Sequence, residues 1–360
     1  MSNRKVLIAL SGGVDSAVSA ALLKKQGFDV FGVYFRFFDP PKAGRADGSL
    51  KKAKLVAEKL NIPLEIVDAR KDFKKKIVDY FISSYKKGIT PNPCVVCNRE
   101  MKFQLLLEIL KKEKADFVVT GHYARIVHVT RNTKHVTKKM LHVTCYMLRE
   151  AQDKTKDQSY FLYRLTQKEL AKIIFPLGDY TKAEVRKIAK NIKLPIFGGE
   201  ESQDICFLSG KDINSFLKKY IKPKIGNIVD ESGKILAKHK GLPFYTIGQR
   251  KGIEIGGTGP YFVIGKDSGK NELIVSNDPK KLLVKKFFVN KVNWVDKGTK
   301  LPLLAQIQVR YHASKISAKI SPGKAKKLVV EAEKPLRAVT PGQSAVFYKN
   351  GEVLGGGIIV

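Results

Sequence analysis

The feature that most restricts the fold is a junction near the start of the chain. The apolar run Val6 to Leu10 passes directly into Ser11-Gly12-Gly13-Val14-Asp15-Ser16, and a helical pattern begins inside that hexapeptide. An apolar run without a polar break suits a strand buried on both faces. Val14 to Gln26 then carries Ala17, Val18, Ala21 and Leu22 at helical spacing, with Gly27 as a stop. The two glycines let the backbone turn tightly and approach a ligand with no Cβ in the way. At the same point the helix offers unpaired N–H groups and a partial positive charge. Together these predict an anion site.

The other residues of the loop refine that expectation. Ser11 and Ser16 add hydroxyl donors for phosphate oxygens. Asp15 is the odd member, because a carboxylate repels phosphate unless a cation bridges them, so a magnesium nucleotide is expected rather than a bare anion. The loop lacks the Gly-Lys-Ser/Thr ending of the common P-loop and the Gly-x-Gly-x-x-Gly dinucleotide fingerprint. A purely structural turn is the plain alternative. The hexapeptide resembles the pyrophosphatase loop of the ATP pyrophosphatase (PP-loop) superfamily, which cleaves ATP between its α and β phosphates. That resemblance implies adenylation of an acceptor oxygen without naming the acceptor.

Strand-like and helix-like patterns alternate from there. Phe28 to Phe35, Leu64 to Val67 and Phe117 to Thr120 read as strands; Ser49 to Leu60, Phe73 to Tyr85 and Met101 to Leu110 read as helices. This predicts an α/β, Rossmann-like unit around a mainly parallel sheet. Between Arg125 and Gln152 alternating Val, Thr, His and charged residues predict an antiparallel hairpin inserted in that unit. Helical patterns return at Gln167 to Ile174, Lys182 to Asn191 and Ile213 to Tyr220. Beyond them Gly and Pro punctuate short apolar segments, from Pro223 through Gly257 to Pro260, which predicts an all-β tail. The expected organisation is an adenylation domain over residues 1–210, a small central β-rich domain over 211–280 and a C-terminal β-barrel-like domain over 281–360.

With 67 Lys and Arg against 33 Asp and Glu, the net charge is +34. A surface that positive attracts polyanions, nucleic acid or anionic membrane; a drift toward lysine without function is the bland reading. No apolar run approaches the roughly 18–20 residues a spanning helix needs, and the N-terminal run is too brief for a signal peptide. A cytoplasmic location and no membrane partner are expected.

Four cysteines in 360 residues make no disulfide framework. Only Cys94 and Cys97 form a Cys-x-x-Cys pair, Cys145 and Cys206 being isolated, so no metal site made of protein ligands alone is expected. Cys97 opens a helix-like stretch, where the helix terminus, Arg99 and Lys102 favour thiolate. Cys206 ends a polar stretch, Glu201-Ser202-Gln203-Asp204-Ile205, with the exposure and mobility a persulfide carrier needs to be loaded by a donor protein.

The cysteine segments, with Thr120-Gly121-His122-Tyr123-Ala124-Arg125, Lys156-Asp157-Gln158-Ser159-Tyr160-Phe161-Leu162, Thr246-Ile247-Gly248-Gln249-Arg250-Lys251-Gly252, Val339 to Tyr348 and Leu354 to Ile359, resemble the tRNA-specific 2-thiouridylase family along almost the whole chain. The resemblance implies that Ala9, Leu10, Ser11, Gly12, Gly13, Val14, Asp15 and Ser16 hold ATP phosphates, with Phe35 and Gly121 beside the adenosine. It implies Cys97 as nucleophile, Cys206 as persulfide carrier and a Cys97–Cys206 disulfide after sulfur transfer. His122, Lys156, Asp157, Gln158, Arg310, Tyr311 and Gln343 are implied tRNA contacts; Arg250 and Lys251 are further basic candidates. The implied substrates and partners are ATP with Mg2+, a tRNA with a wobble uridine, and a sulfur-relay or cysteine desulfurase protein. Two departures stand out. Cys94 occupies a position where many relatives carry Asp, and the insertion around residues 126–149 is longer than usual.

Adenylating the C2 oxygen turns a poor leaving group into a good one, after which persulfide sulfur either attacks C2 directly or is first freed as hydrosulfide by Cys97. Cys206 is expected to be mobile and to approach Cys97 when tRNA binds. The competing readings are an amide-forming ATP pyrophosphatase, which needs neither cysteine, and an RNA-binding protein with a degenerate nucleotide site.

Overall fold

Strand pairing sorts the chain into three sheets. The computed structural model describes residues 4–39, 45–134, 140–196, 205–208, 210, 212–253, 255–256 and 259–360. Glu201 to Asp204 and Gly257, singled out in the sequence, lie outside the described residues.

The first sheet is wholly parallel, in the order Leu64–Asp68, Asp29–Arg36, Lys5–Ala9, Phe117–Val119, Ile173–Ile174. Its central strand explains the unbroken apolar run. Leu7 joins Val33, Val118 and helix residues Phe103 and Leu106 in one core, while Val6 and Ile8 join Val30, Val119 and helix residues Ala17 and Val18 in the other. Successive strand side chains point to opposite faces, so both faces must be apolar where helices cover both. Val6, Leu7 and Ile8 are fully buried, each stabilising the fold by about 1.5–3 kcal/mol. Ile173–Ile174 corrects the helix expected over Gln167 to Ile174. The helix stops at Leu170, and the two isoleucines form the fifth strand.

Strand order reverses between Lys5–Ala9 and Phe117–Val119, which opens a crevice beyond their carboxyl ends. That is where doubly wound sheets bind ligands.

The second sheet is mixed, in the order Phe262–Asp267, Glu272–Ser276, Gly226–Val229, Ile235–His239. Its core of Ile228, Val263, Leu273 and Val275 continues into Phe81 and Tyr85 of the helix Asp79–Lys86, so the α/β unit carries it directly. The third sheet is a barrel of Leu283–Trp294, Leu328–Arg337, Ile316–Pro322, Leu303–Gln308, Ser344–Lys349 and Glu352–Ile359, closed by pairing of its first and last strands.

The expected hairpin is present as Ala124–Lys134 and Met140–Glu150. It extends the barrel's sheet rather than the parallel one, through Arg149 opposite Glu352. The Lys315–Glu150 ion pair and a 2.8 Å bond from Arg149 to the Asn350 carbonyl hold it there.

Candidate active site and nucleic-acid face

The glycine turn sits at the reversal in strand order. Gly13 caps the helix Val14–Lys25, and Gly12 has φ +78°, where a Cβ would meet the Ser49 carbonyl oxygen at 2.2 Å. Ser16 donates its hydroxyl to the Gly13 carbonyl (2.9 Å) and accepts from the Ser11 N–H (3.2 Å). Ser11 Oγ accepts from the Gly13 N–H and lies 3.2 Å from Ser16 Oγ. The hydroxyls expected to face phosphate are therefore engaged in shaping the loop, which leaves the helix N–H groups as the donors for an anion. Across the crevice, Gly121 touches the loop so closely that a Cβ would stand 2.7 Å from Ser16 N. Leu10 is tied to its neighbour strand by a 2.9 Å bond to the Val33 carbonyl. Phe35, at the carboxyl end of that strand, stacks on Phe37 with centroids 5.5 Å apart.

Asp15 has a counter-charge that sequence reasoning missed. Lys182 Nζ donates to both carboxylate oxygens, at 2.6 and 2.8 Å, and Tyr123 OH donates to Oδ1 at 2.8 Å. Lys182 is 7% exposed, unusual for a lysine. Its position follows from a capping box, since Thr181 accepts from the Glu184 N–H while the Glu184 carboxylate accepts from the Thr181 N–H. Lys182 is thereby the first residue of the helix Lys182–Asn191. The Thr-x-x-Glu spacing was visible; that it aims a lysine at residue 15 depends on the fold.

The cysteines lie on a helix that begins earlier than expected. Asn92 caps it by accepting from the Val95 N–H, Pro93 is its first residue, and a π-helical turn over Asn98–Lys102 leads into Phe103–Lys112. Cys94, not Cys97, lies nearest the N-terminus. Cys97 is buried among Phe73, Ile77, Val96 and Met101. The thiolate expectation is corrected accordingly: burial pushes the Cys97 thiol up to about 12, against the pull of Lys102. Arg99 offers little help, being paired with Glu169. Burial also raises Cys94, and it pushes Cys206 up to about 11 even though Cys206 keeps an exposed outer side.

Cys206 lies close enough to Cys97 and Cys94 for their charges to be felt, and all four cysteines are free thiols. The chain's own packing brings it there. Phe207 wedges edge-on against Phe73 (5.9 Å) and Phe81 (5.2 Å). The Lys102 charge lowers Cys94, Cys97, Cys206 and also His122. Burial and that ammonium hold His122 down at about 3, a neutral imidazole bonded to Thr120 Oγ1 at 2.7 Å and stacked near Phe103. Beside Cys97, the buried Asn98 amide oxygen has no hydrogen-bond partner.

The remaining candidates divide into two groups. Asp157 and Gln158 turn inward. The Asp157 carboxylate accepts from the Ala151 N–H and the Ser159 hydroxyl, and Gln158 Oε1 accepts from the Tyr123 N–H. Lys156 is half-buried in the same turn. Arg310 and Gln343 line a cleft of about 440 Å³ with Thr90, Thr246, Gln249 and Arg337, where barrel, central sheet and α/β unit meet. Gln343 Nε2 donates to the Thr90 and Pro91 carbonyls (2.9 and 3.1 Å), fixing the barrel to the segment that leads into Cys94. Tyr311 packs on Phe161 at 4.4 Å. Arg250 and Lys251 are exposed beside that cleft's Gln249. Among the described residues no helix is long and apolar enough to cross a membrane.

Fold and loop define a nucleotide-binding α/β unit of the ATP pyrophosphatase class, carrying a β-rich module and a β-barrel. Family models match in that order: a tRNA methyl transferase HUP domain over residues 4–210, a tRNA methyl transferase PRC-barrel domain over 214–277 and an aminomethyltransferase beta-barrel domain over 284–359. Relatives match end to end. The tRNA-specific 2-thiouridylase MnmA 2 of Thermoanaerobacter sp. (strain X514) is 42% identical, covering 99% of this chain and 98% of its own. The MnmA proteins of Clostridium acetobutylicum (39%; 99% of each chain) and Chloroflexus aggregans (40%; 98% of each) are similar. The chain belongs to the tRNA-specific 2-thiouridylase (MnmA) family. Solved structures match more loosely; a 4-thiouridine synthetase–RNA complex with bound ATP is 19% identical, with TM-score 0.37 over 60% of this chain and 50% of that one.

Proposed function

We propose that this protein uses ATP to replace the C2 oxygen of a tRNA wobble uridine with sulfur carried as a persulfide. Family membership supplies the reaction class. The observation that carries the reading is the link between nucleotide loop and thiols through Gly121, His122 and the Lys102 charge. Gly121 packs on Asp15 and Ser16, His122 follows it in the chain, and the charge of the Lys102 ammonium acts on His122, Cys97 and Cys206 alike.

ATP phosphates would lie on the N–H groups of residues 12–16. Asp15, the acid of the loop, suits a magnesium–phosphate complex once Lys182 moves from the carboxylate to the phosphates, so the buried lysine would exchange one anion for another. Adenylation makes the C2 oxygen a leaving group and releases pyrophosphate. Cys206, the exposed thiol, would receive sulfur from a sulfur-relay or desulfurase protein, while Cys97, shielded from solvent, would attack the Cys206 sulfur, break its bond to the outer sulfur and close a Cys97–Cys206 disulfide. The outer sulfur ends on C2, before that attack or after release as hydrosulfide, and AMP leaves with the oxygen. The raised thiols keep both groups protonated at rest, and Lys102 is the cation that would steady whichever sulfur takes up charge.

The RNA would lie along the Arg310–Gln343 cleft, with Tyr311, His122 and Lys156 nearer the base and Arg250 and Lys251 on phosphates. Asp157 and Gln158 would act indirectly, by holding the turn that carries Lys156. The test is mass spectrometry of tRNA nucleosides after incubation with ATP, magnesium, a cysteine desulfurase and cysteine. 2-Thiouridine at the wobble position is expected; its absence, with an active sulfur source, sinks the proposal.

A further inference from the structure

The mechanism above uses two thiols, and a third lies on the helix that carries one of them. Cys94 and Cys97 are three residues apart within Pro93–Cys97, hence on one face of one turn, with Cβ atoms about 5–6 Å apart. A disulfide needs about 3.5–4.5 Å. Closing that gap takes a small shift in a first helical turn that is followed immediately by the π-helical turn Asn98–Lys102, where the regular bonding pattern is already altered. Cys206 reaches the same place from another segment, held by Phe207 against Phe73. The three thiols are graded from outside to inside: Cys206 exposed, Cys94 half-buried, Cys97 buried.

We propose that Cys94 is the resolving thiol, which opens the Cys97–Cys206 disulfide left by sulfur transfer and closes a Cys94–Cys97 disulfide within the helix, returning Cys206 to the carrier state. This rests on the sulfur-transfer reading and adds the step that resets it. Electrons balance without a further oxidant. The Cys94 thiolate gives its electron pair to the Cys97 sulfur, the Cys97–Cys206 bond breaks, and the pair leaves on Cys206, which takes up the proton Cys94 released. An external dithiol then opens the Cys94–Cys97 bond and is itself oxidised to a disulfide.

Exchange favours the more acidic thiol as leaving group. Cys206 is exposed and Cys97 buried, so charge leaving on Cys206 reaches water while charge left on Cys97 does not, and attack at Cys97 with departure of Cys206 is the easier direction. The Lys102 charge lowers all three thiols and stabilises the negative charge as it moves between them. The geometry also serves reloading. A Cys97–Cys206 bridge ties down the one thiol that must meet a donor protein, whereas a bridge within one helical turn leaves it free.

The test runs the full-length enzyme through turnover with a wobble-uridine tRNA, MgATP, a cysteine desulfurase with cysteine and limiting dithiothreitol. The reaction is quenched with N-ethylmaleimide and disulfides are mapped by mass spectrometry of non-reduced peptides. The unaltered enzyme is expected to accumulate Cys94–Cys97. Cys94→Ser and Cys94→Ala should accumulate Cys97–Cys206 instead, with the rate of later turnovers falling roughly tenfold relative to the first. Melting temperatures of both variants separate this from misfolding. If 2-thiouridine forms while Cys97–Cys206 accumulates in the unaltered enzyme, sulfur transfer stands and the role of Cys94 is overturned. If neither 2-thiouridine nor any Cys97 disulfide appears, both fall.

Discussion

The glycine loop and the cysteine cluster are built in opposite ways. The loop is local. Its shape comes from bonds among Ser11, Gly13 and Ser16, all within six consecutive residues. The cluster comes from distant segments. Cys97 is buried by Phe73 and Ile77, Cys206 is brought in by Phe207, and Lys102 lies a helical turn beyond Cys97. The loop is polar and preorganised for charge, whereas the cluster is apolar and suppresses charge. The proposed adenylation and sulfur-transfer steps would use that contrast, because phosphate requires donors and an attacking thiol such as Cys97 is kept uncharged by its shelter from water.

Deleting the proposed carrier breaks the comparison most severely. Cys206→Ala is expected to abolish 2-thiouridine formation, a loss of at least about 10³-fold of the kind seen when a covalent participant is removed. tRNA-stimulated pyrophosphate release in a single turnover should persist, because the loop shares no side chain with Cys206. An amide-forming enzyme would be untouched by the change. Simultaneous loss of pyrophosphate release would show that the two ends work as one unit rather than two.

Lys182→Met strikes the other end. It leaves the Asp15 carboxylate with Tyr123 but without its ammonium, so phosphate binding should lose its partner cation. A fall of roughly a hundredfold in kcat/KM for ATP is expected, about 2.7 kcal/mol of transition-state stabilisation. Alkylation of Cys206 should not change. Unaltered ATP kinetics in a variant with normal melting behaviour would reduce the Lys182–Asp15 pair to a structural contact.

These two residues also show what the sequence could convey. The loop, the parallel sheet and the closing barrel were legible because strand runs, glycine turns and a helix start are written in consecutive residues. Lys182 was not legible, since a capping box announces a helix start but not what the helix points at. The thiolate expectation for Cys97 failed for a related reason. Arg99 and Lys102 were read as free positive charge, but Arg99 is paired with Glu169 and the Phe73–Met101 shell outweighs Lys102. The Ile173–Ile174 strand was missed because two residues carry no period that separates strand from helix.

Lys102 joins the regions, and a smaller effect is expected there. Burial places the Cys97 thiol at about 12, so its alkylation by iodoacetamide should climb about tenfold per pH unit from pH 7 to 10 without a plateau. Lys102→Met removes the cation that lowers all three thiols and should slow alkylation at any fixed pH by up to roughly tenfold. The same change should raise the His122 pKa, since that ammonium also holds the imidazole neutral. A plateau below pH 9 would contradict the apolar account of the cluster.

The smallest effect sharpens the local side. Thr181→Ala removes the hydroxyl that accepts from the Glu184 N–H at 3.3 Å and donates to the Glu184 carboxylate at 2.7 Å, and loss of such a cap costs about 1 kcal/mol. The helix Lys182–Asn191 keeps Val185 and Ala189 in the core, so it should fray at its first turn rather than detach. That first turn is where Lys182 sits. A modest rise in KM for ATP should therefore accompany the stability loss, with thiol reactivity unmoved, because nothing in the cap reaches the cysteines. Equal stability loss with unchanged KM would mean that Lys182 is held by Asp15 and Tyr123 alone, and that the loop orders its lysine rather than the helix delivering it.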